Sequence, residues 1–279
     1  MERLHLGSLA AWKHNVASPR AAALVVHGLS EHSGRHLNTV EFLNSLGLNV
    51  LRFDLRGAGK SGGRRQYVDR FADYVDDANI AFNALSRDNP KLPLVVMGHS
   101  LGGAIAIRLA ALRSASFRAL VLSAPAYILG TGMSPIVITV GKALSRLFPT
   151  FAMPKTAPPT GVSRDPAVVE AFLKDPLSTH SNTLRQGTEI LKALPNTLPL
   201  VDQFKCPVFM VHGTHDTIIN FEGSFEIFKR IPTPYKCFHV VPGGFHEPHN
   251  DYGKEEYFAA LARWLEHRLA SPKTERPGP

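Results

Sequence analysis

Three residues, Ser100, Asp216 and His246, each stand just past a short apolar run, in the chain order serine, acid, histidine. A serine hydroxyl is a weak nucleophile until a histidine takes its proton, and that histidine needs a carboxylate to fix its tautomer. Brought together, Ser100 could attack an acyl carbonyl, His246 could accept and return the proton, and Asp216 could hold the imidazole. The serine sits in Gly98-His99-Ser100-Leu101-Gly102, a G-x-S-x-G pattern between an apolar run at 93–97 and a helical pattern from 101. Such a strand–turn–helix junction strains the serine backbone, and side chains at 98 or 102 would collide with the neighbouring strand and helix. Gly103 gives further room for close packing. The same pattern recurs at Gly59-Lys60-Ser61-Gly62-Gly63, but no helical pattern adjoins it, so Ser100 is the expected nucleophile. His249 and His215 compete for the base, and Asp202 and Asp251 for the acid, although neither acid immediately follows an apolar run.

A tetrahedral intermediate needs two N–H donors for its oxyanion. The residue after the nucleophile, Leu101, supplies one. The loop after the run at 22–26, where His27-Gly28 lets the chain turn, supplies the other, assigned to Leu29. Their side chains are incidental to this role. Two other glycine motifs are rejected. Gly57-Ala58-Gly59-Lys60-Ser61-Gly62 fits G-x-G-x-x-G, but no helix opens there to hold a pyrophosphate. A phosphate-binding loop ending at Gly59-Lys60-Ser61 would need glycine at position 54, which is Asp54. Clustered His212, His215, His246 and His249 lack an H-E-x-x-H spacing, so no catalytic metal is expected.

The elements that must position these residues follow from hydrophobic period. Apolar runs at 22–26, 48–55, 93–98, 119–122, 208–211 and 237–241, each bounded by Gly, Pro or Ser, read as strands buried on both faces. Between them, Phe71, Val75, Ala78, Phe82 and Leu85 recur at helical spacing, as do residues 101–112, and Tyr257, Leu261, Trp264, Leu265 and Leu269. Repeated strand–helix–strand units predict an α/β fold, a mostly parallel sheet with helices on both faces. The segment before residue 22 reads as antiparallel edge strands.

The alternation breaks between residues 126 and 196, which are rich in proline and show no strand pattern. This predicts an inserted helical cap on a core of residues 1–125 and 197–279. In the cap, Ile136, Val140, Leu144, Leu147 and Phe148 line one face of a helix, with Lys142, Ser145 and Arg146 elsewhere. Ligands of α/β sheets bind at the C-terminal strand ends, so a cap there would shape a substrate entrance. Its apolar face and its cations suit peripheral contact with a membrane surface.

Composition sets outer bounds. The chain has 279 residues, 44% hydrophobic and 19% charged, which excludes a disordered chain. The net charge of +8 is dispersed, with no basic run for nucleic acid. Cys206 and Cys237 are read as free and buried, too few for a disulfide framework or a four-ligand zinc site. No secretion signal or membrane span is evident, so a soluble, cytoplasmic protein is expected. Oligomeric state leaves no trace in the sequence.

His27-Gly28-Leu29-Ser30-Glu31-His32-Ser33-Gly34-Arg35 resembles the signature of the monoacylglycerol lipase and lysophospholipase branch of the α/β-hydrolase superfamily. Asp54-Leu55-Arg56-Gly57-Ala58-Gly59-Lys60-Ser61 resembles its loop after the next strand, and Ser163-Arg164-Asp165-Pro166 and Asp175-Pro176-Leu177 its cap. The similarity covers nearly the whole chain. It implies the α/β-hydrolase fold and hydrolysis of a single-chain lipid ester, a monoacylglycerol, to glycerol and fatty acid without metal or cofactor. It also implies a cap that directs the acyl chain into an apolar tunnel, and a glycerol pocket formed by Glu31, Arg35 and His249. The chain departs from the pattern at Leu101, where Met is common, and at Phe172, where some members carry a Tyr associated with the glycerol end. A lysophospholipase or broad carboxylesterase would use the same triad. A catalytically silent lipid-binding relative would not need the intact set.

Overall fold

The computed structural model describes residues 1–130, 135–154 and 159–270. In chain order the strands and α-helices are β1 (Glu2–Leu6), β2 (Leu9–His14), β3 (Ala21–Val26), α1 (Leu37–Ser45), β4 (Leu48–Phe53), α2 (Phe71–Asp88), β5 (Leu94–His99), α3 (Leu101–Arg113) and β6 (Ala119–Ser123). Then come α4 (Pro135–Leu147), β7 (Ala152–Pro154), α5 (Pro166–Lys174), β8 (Ser181–Thr183), α6 (Leu184–Ala193), α7 (Leu198–Val201), β9 (Val208–Gly213), α8 (Phe221–Arg230), β10 (Lys236–Val241) and α9 (Lys254–Ala270).

Eight strands form one sheet in the order β1-β2-β4-β3-β5-β6-β9-β10. β1, β2 and β4 pair antiparallel, as expected for the N-terminal edge, and β4 through β10 run parallel. The central strands are buried at every position because both faces are covered, and β3 is apolar throughout. In β3, Ala22, Leu24 and Val26 pack toward α2 and α3, while Ala21, Ala23 and Val25 pack toward α1 and α9. The predicted α2 stripe is buried throughout, as are Tyr257, Leu261 and Leu265 of α9. This is the α/β-hydrolase arrangement. From β3 the chain moves one way to β4 and then back past β3 to β5. The crevice at that switch point lies beyond Val26 and His99.

Three local readings are refined. The helices α1 and α8 were not singled out from the sequence: α1 is one short amphipathic stretch, and Gly223 interrupts the start of α8. Strand β10 is the sheet edge and only half-buried, so Cys237 is half-buried too; Cys206 is buried but lies just before β9. The segment between β6 and β9 carries helices α4 to α7 but also a two-stranded antiparallel sheet, β7 with β8. Three-residue strands give too few alternations to register as a period.

In α4 the stripe expected from the sequence faces outward. Val140, Leu144, Leu147 and Phe148 are exposed, and Phe151 and Met153 extend the patch. Among the described side chains of α4, Ser145 is the buried one, accepting from Thr188 Oγ1 of α6 at 2.9 Å. The Ile136 side chain lies outside the described residues.

Candidate active site

Strand β5 delivers Ser100 into the sharp turn that opens α3, with φ 53° and ψ −120°. A non-glycine residue there stores about 1–3 kcal/mol of strain, sustained only by surroundings that over-determine it. The surroundings are visible: Ser100 N donates to Ser123 O at 2.9 Å, and Ala126 N donates to Ser100 O at 2.9 Å. The glycines are required by contact distance. A Cβ at Gly98 would stand 2.3 Å from Gly102 O, and one at Gly102 would stand 2.2 Å from Val26 O. Helix α3 thus sits on the end of β3 with no space for a methyl group. Ser61, in the other G-x-S-x-G, is bound on both sides: its hydroxyl donates to Asp54 O at 2.5 Å and accepts from Ala10 N at 2.9 Å. It braces a loop and is not free to attack.

Asp216 follows β9 and His246 follows β10, and the two meet. His246 Nδ1 donates to Asp216 Oδ2 at 2.6 Å. A carboxylate only accepts, so the ring proton is fixed on Nδ1 and Nε2 is left as a proton acceptor. The Asp216 carboxylate is fully buried and takes three further donors: Ile218 N at 2.8 Å and Ile219 N at 2.9 Å on Oδ1, and His212 Nε2 at 2.9 Å on Oδ2. Burial alone would raise its pKa, but the two histidines outweigh it and hold the carboxyl far below its usual range. For His246, burial opposes the charged ring; attraction to Asp216 overcomes it and raises the pKa above the ordinary 6.5. His212 completes a chain, since its Nδ1 accepts from Ser224 Oγ at 2.6 Å. Sequence reasoning weighed His212 only as a metal ligand. The available signal was its place at the end of a strand, four residues before the acid.

The other candidates stand elsewhere. Asp202 lies at the surface with Arg230, and Asp251 receives Arg164 Nε and Phe245 N, each at 2.9 Å. His215 is exposed beside Thr214. Among the described residues, no group of three or more His, Cys, Asp or Glu side chains is arranged to hold a metal ion.

Beyond β3, the loop carrying Leu29 is held at both ends of Gly28. Gly28 N donates to Glu31 Oε1 at 2.5 Å, and His27 Nδ1 donates to Gly28 O at 2.7 Å while His27 Nε2 accepts from Leu55 N at 3.0 Å. That tautomer is neutral, and burial lowers the His27 pKa to keep it so. A Cβ at Gly28 would meet Glu31 Oε1 at 2.7 Å and Ser100 Cβ at 3.1 Å, which measures how tightly the loop abuts the serine. Among the described residues, neither Leu29 N nor Leu101 N has a hydrogen-bond partner.

Glu31, Arg35, His249 and Phe172 come together beside this loop. Arg35 Nη2 donates to both oxygens of Glu247, at 2.9 and 2.7 Å, and its Nε lies 3.6 Å from Glu31 Oε2. The Phe172 ring of α5 covers the Arg35 guanidinium at 4.8 Å. His249 is fully buried, stacks on His36 at 4.5 Å, and has no hydrogen-bond partner on either ring nitrogen. Burial, then His36 and His99, push its pKa well below the ordinary value, so it is neutral. Burial would raise Glu31, but attraction and a hydrogen bond from His36 at 3.1 Å outweigh it and hold its carboxylate ionised. The segment after β6 also reaches the loop after β10: Glu247 N donates to Val162 O at 2.8 Å.

The chain is similar to known proteins over most of its length. Residues 17–253 match the sequence profile of the Hydrolase_4 family, described as serine aminopeptidase, S33. A monoacylglycerol lipase of Mycolicibacterium smegmatis is 31% identical over 252 residues, covering 90% of each chain. The human monoglyceride lipase is 27% identical, over 95% of this chain and 88% of its own. The crystal structure of the Paleococcus ferrophilus monoacylglycerol lipase superposes with a TM-score of 0.83 at 27% identity, covering 96% of this chain and all of the other.

Proposed function

The chain belongs to the Hydrolase_4 (serine aminopeptidase, S33) family of α/β-hydrolases, and on that premise we propose that it is a serine hydrolase that cleaves monoacylglycerols to glycerol and fatty acid. The observation that carries this reading is the buried Asp216–His246 contact of 2.6 Å, which leaves Nε2 as a base at the same sheet edge as a serine held in a strained turn.

Ser100 Oγ attacks the ester carbonyl while His246 Nε2 takes its proton. The carbonyl oxygen becomes an oxyanion and receives the N–H groups of Leu29 and Leu101. Such a donor is worth about 10²–10³ in rate. The protonated His246 then passes its proton to the glycerol oxygen, which leaves. Water, deprotonated by the same histidine, releases the fatty acid from Ser100. Glu31, Arg35 and His249, roofed by Phe172, form the polar wall met by the two glycerol hydroxyls. Residues 1–125 and 197–279 are the core, and residues 126–196 are the cap. The exposed Val140, Leu144, Leu147 and Phe148, with Lys142 and Arg146 on the same helix, support contact of the cap with an anionic lipid surface.

Labelling with a fluorophosphonate, mapped by mass spectrometry, tests the nucleophile: label on Ser100 supports the mechanism, and label elsewhere or none overturns it. Initial rates on a series of monoacylglycerols, lysophosphatidylcholine and p-nitrophenyl esters test the substrate class. Vesicle binding that weakens with salt and with Lys142→Glu/Arg146→Glu supports the membrane contact; insensitivity to both removes it.

A further inference from the structure

Past the C-terminal ends of β3 and β4, the turn after β4, helix α2 and helix α6 line a narrow cleft with room for about one water molecule or one hydroxyl. Leu29 and Leu101 border it at the nucleophile; Gln66, Tyr74 and Gln186 line it further in. An acyl passage would be expected to be apolar here, yet these three side chains are polar and nearly completely buried. Gln186 Nε2 donates to Tyr74 Oη at 2.8 Å, which leaves the other end of its amide without a partner. Gln66 Oε1 is likewise buried and unpartnered. The Tyr74 hydroxyl accepts from Gln186 and keeps its own proton as a donor.

Gln66 is held in place by its backbone. It adopts φ 52°, its N donates to Gly57 O at 3.0 Å, and its carbonyl accepts from Thr183 Oγ1 at 2.6 Å. A left-handed glutamine anchored on both sides is a costly way to fill space that a leucine could fill. Two unmatched amide ends beside a free phenol proton form a set that lacks one group able both to donate and to accept. A hydroxyl is that group, and it satisfies the Gln186 amide in either orientation.

The sheet order says which part of the substrate arrives there. His246 and Asp216 follow β10 and β9 on one flank of β5, whereas the cleft lies at the ends of β3 and β4 on the other flank. The leaving alcohol must lie beside His246, which protonates it and toward which Arg35 is drawn by its bonds to Glu247, so the acyl carbons nearest the carbonyl turn toward the cleft. We propose that Gln66, Tyr74 and Gln186 form a seat for a hydroxyl carried on the acyl chain close to the carbonyl, which makes 2- or 3-hydroxyacyl esters a preferred substrate class. This deepens the acyl-ester reading and rests on it.

The test measures kcat/KM for a matched pair, 3-hydroxydecanoyl and decanoyl monoglyceride, repeated with the 2-hydroxy isomer. The wild type is compared with Gln186→Leu and Gln66→Leu, with thermal unfolding followed for each. We expect the wild-type ratio of the better hydroxylated ester to the plain one to fall about ten-fold in each variant, about 1.4 kcal/mol and the scale of one hydrogen bond. The plain ester should change only a few-fold. Gln186→Met serves as a second apolar variant if leucine disturbs folding. An unchanged ratio, or equal loss on both esters, would overturn the seat and leave the hydrolase reading standing. Turnover of none of the esters by the wild type would overturn the hydrolase reading, and the seat with it.

Discussion

His212 offers a sharp test because its contacts tie it to the triad acid and to little else that is polar. It donates to Asp216 Oδ2 at 2.9 Å and accepts from Ser224 Oγ at 2.6 Å, and both His212 and Ser224 are fully buried. Replacing it by leucine removes a hydrogen bond to a charged group, worth roughly 1.5–3 kcal/mol, and strands the Ser224 hydroxyl at roughly 1–3 kcal/mol. Asp216 keeps Ile218 N, Ile219 N and His246, so the net loss should be about 3 kcal/mol of stability and not a failure to fold. The double variant His212→Leu/Ser224→Ala should recover the part due to the stranded hydroxyl. Activity should not recover with it. With one donor gone, the carboxylate is less firmly oriented, and kcat/KM should fall by about ten- to a hundred-fold. The remaining charge also acts more strongly on His246, so the acidic limb of the pH–rate profile should move upward. The assay is the pH dependence of p-nitrophenyl ester hydrolysis by both variants, alongside urea unfolding. A limb at the wild-type position with kcat/KM within two-fold would refute the coupling and leave His212 a packing residue.

Ser100→Ala should abolish hydrolysis with the fold intact by circular dichroism, whereas Ser61→Ala should lose about 1–3 kcal/mol of stability from its two stranded backbone groups and retain turnover within a few-fold. In the wild type, kcat/KM should fall on acidification with a midpoint above 6.5, because the base must be neutral and Asp216 raises its pKa despite burial. By the same linkage the His246–Asp216 pair stabilises the fold fully below 6.5, and that contribution is lost as the pH rises through the folded value; denaturant midpoints across neutral pH check the sign. His249→Ala should lower kcat/KM about ten-fold for a monoacylglycerol and much less for a p-nitrophenyl ester of the same acyl chain. Equal losses would assign His249 to the packing behind the triad.

Local physics was enough to single out the residues proposed for the chemistry. Strands buried on both faces must be mostly apolar, and the half-buried edge strand β10 keeps an apolar run too, so the ends of β3, β5, β9 and β10 could be read along the chain, and with them Leu29, Ser100, Asp216 and His246. The glycines around the serine were legible as a motif, but the contact that requires Gly102, with Val26 O, exists only in the fold. Short elements escaped: β7 and β8 are three residues each, α1 is nine, and α8 is periodic but only ten residues long.

What the sequence could not decide were choices between equivalent patterns, and these were settled by contacts across distant segments. Ser61 and Ser100 share a motif, and only the Asp54 and Ala10 contacts immobilise Ser61. Asp202, Asp216 and Asp251 are all carboxylates near the right place in the chain, and only Asp216 reaches His246. The apolar stripe of α4 was legible, but a helical period says which residues share a face, not which way that face turns; in the fold Ser145 meets α6 and the stripe faces outward. His212, Gln66 and Gln186 carry no motif. Their meaning comes from burial and from which partners they have or lack, and those are fixed only when the chain is closed on itself.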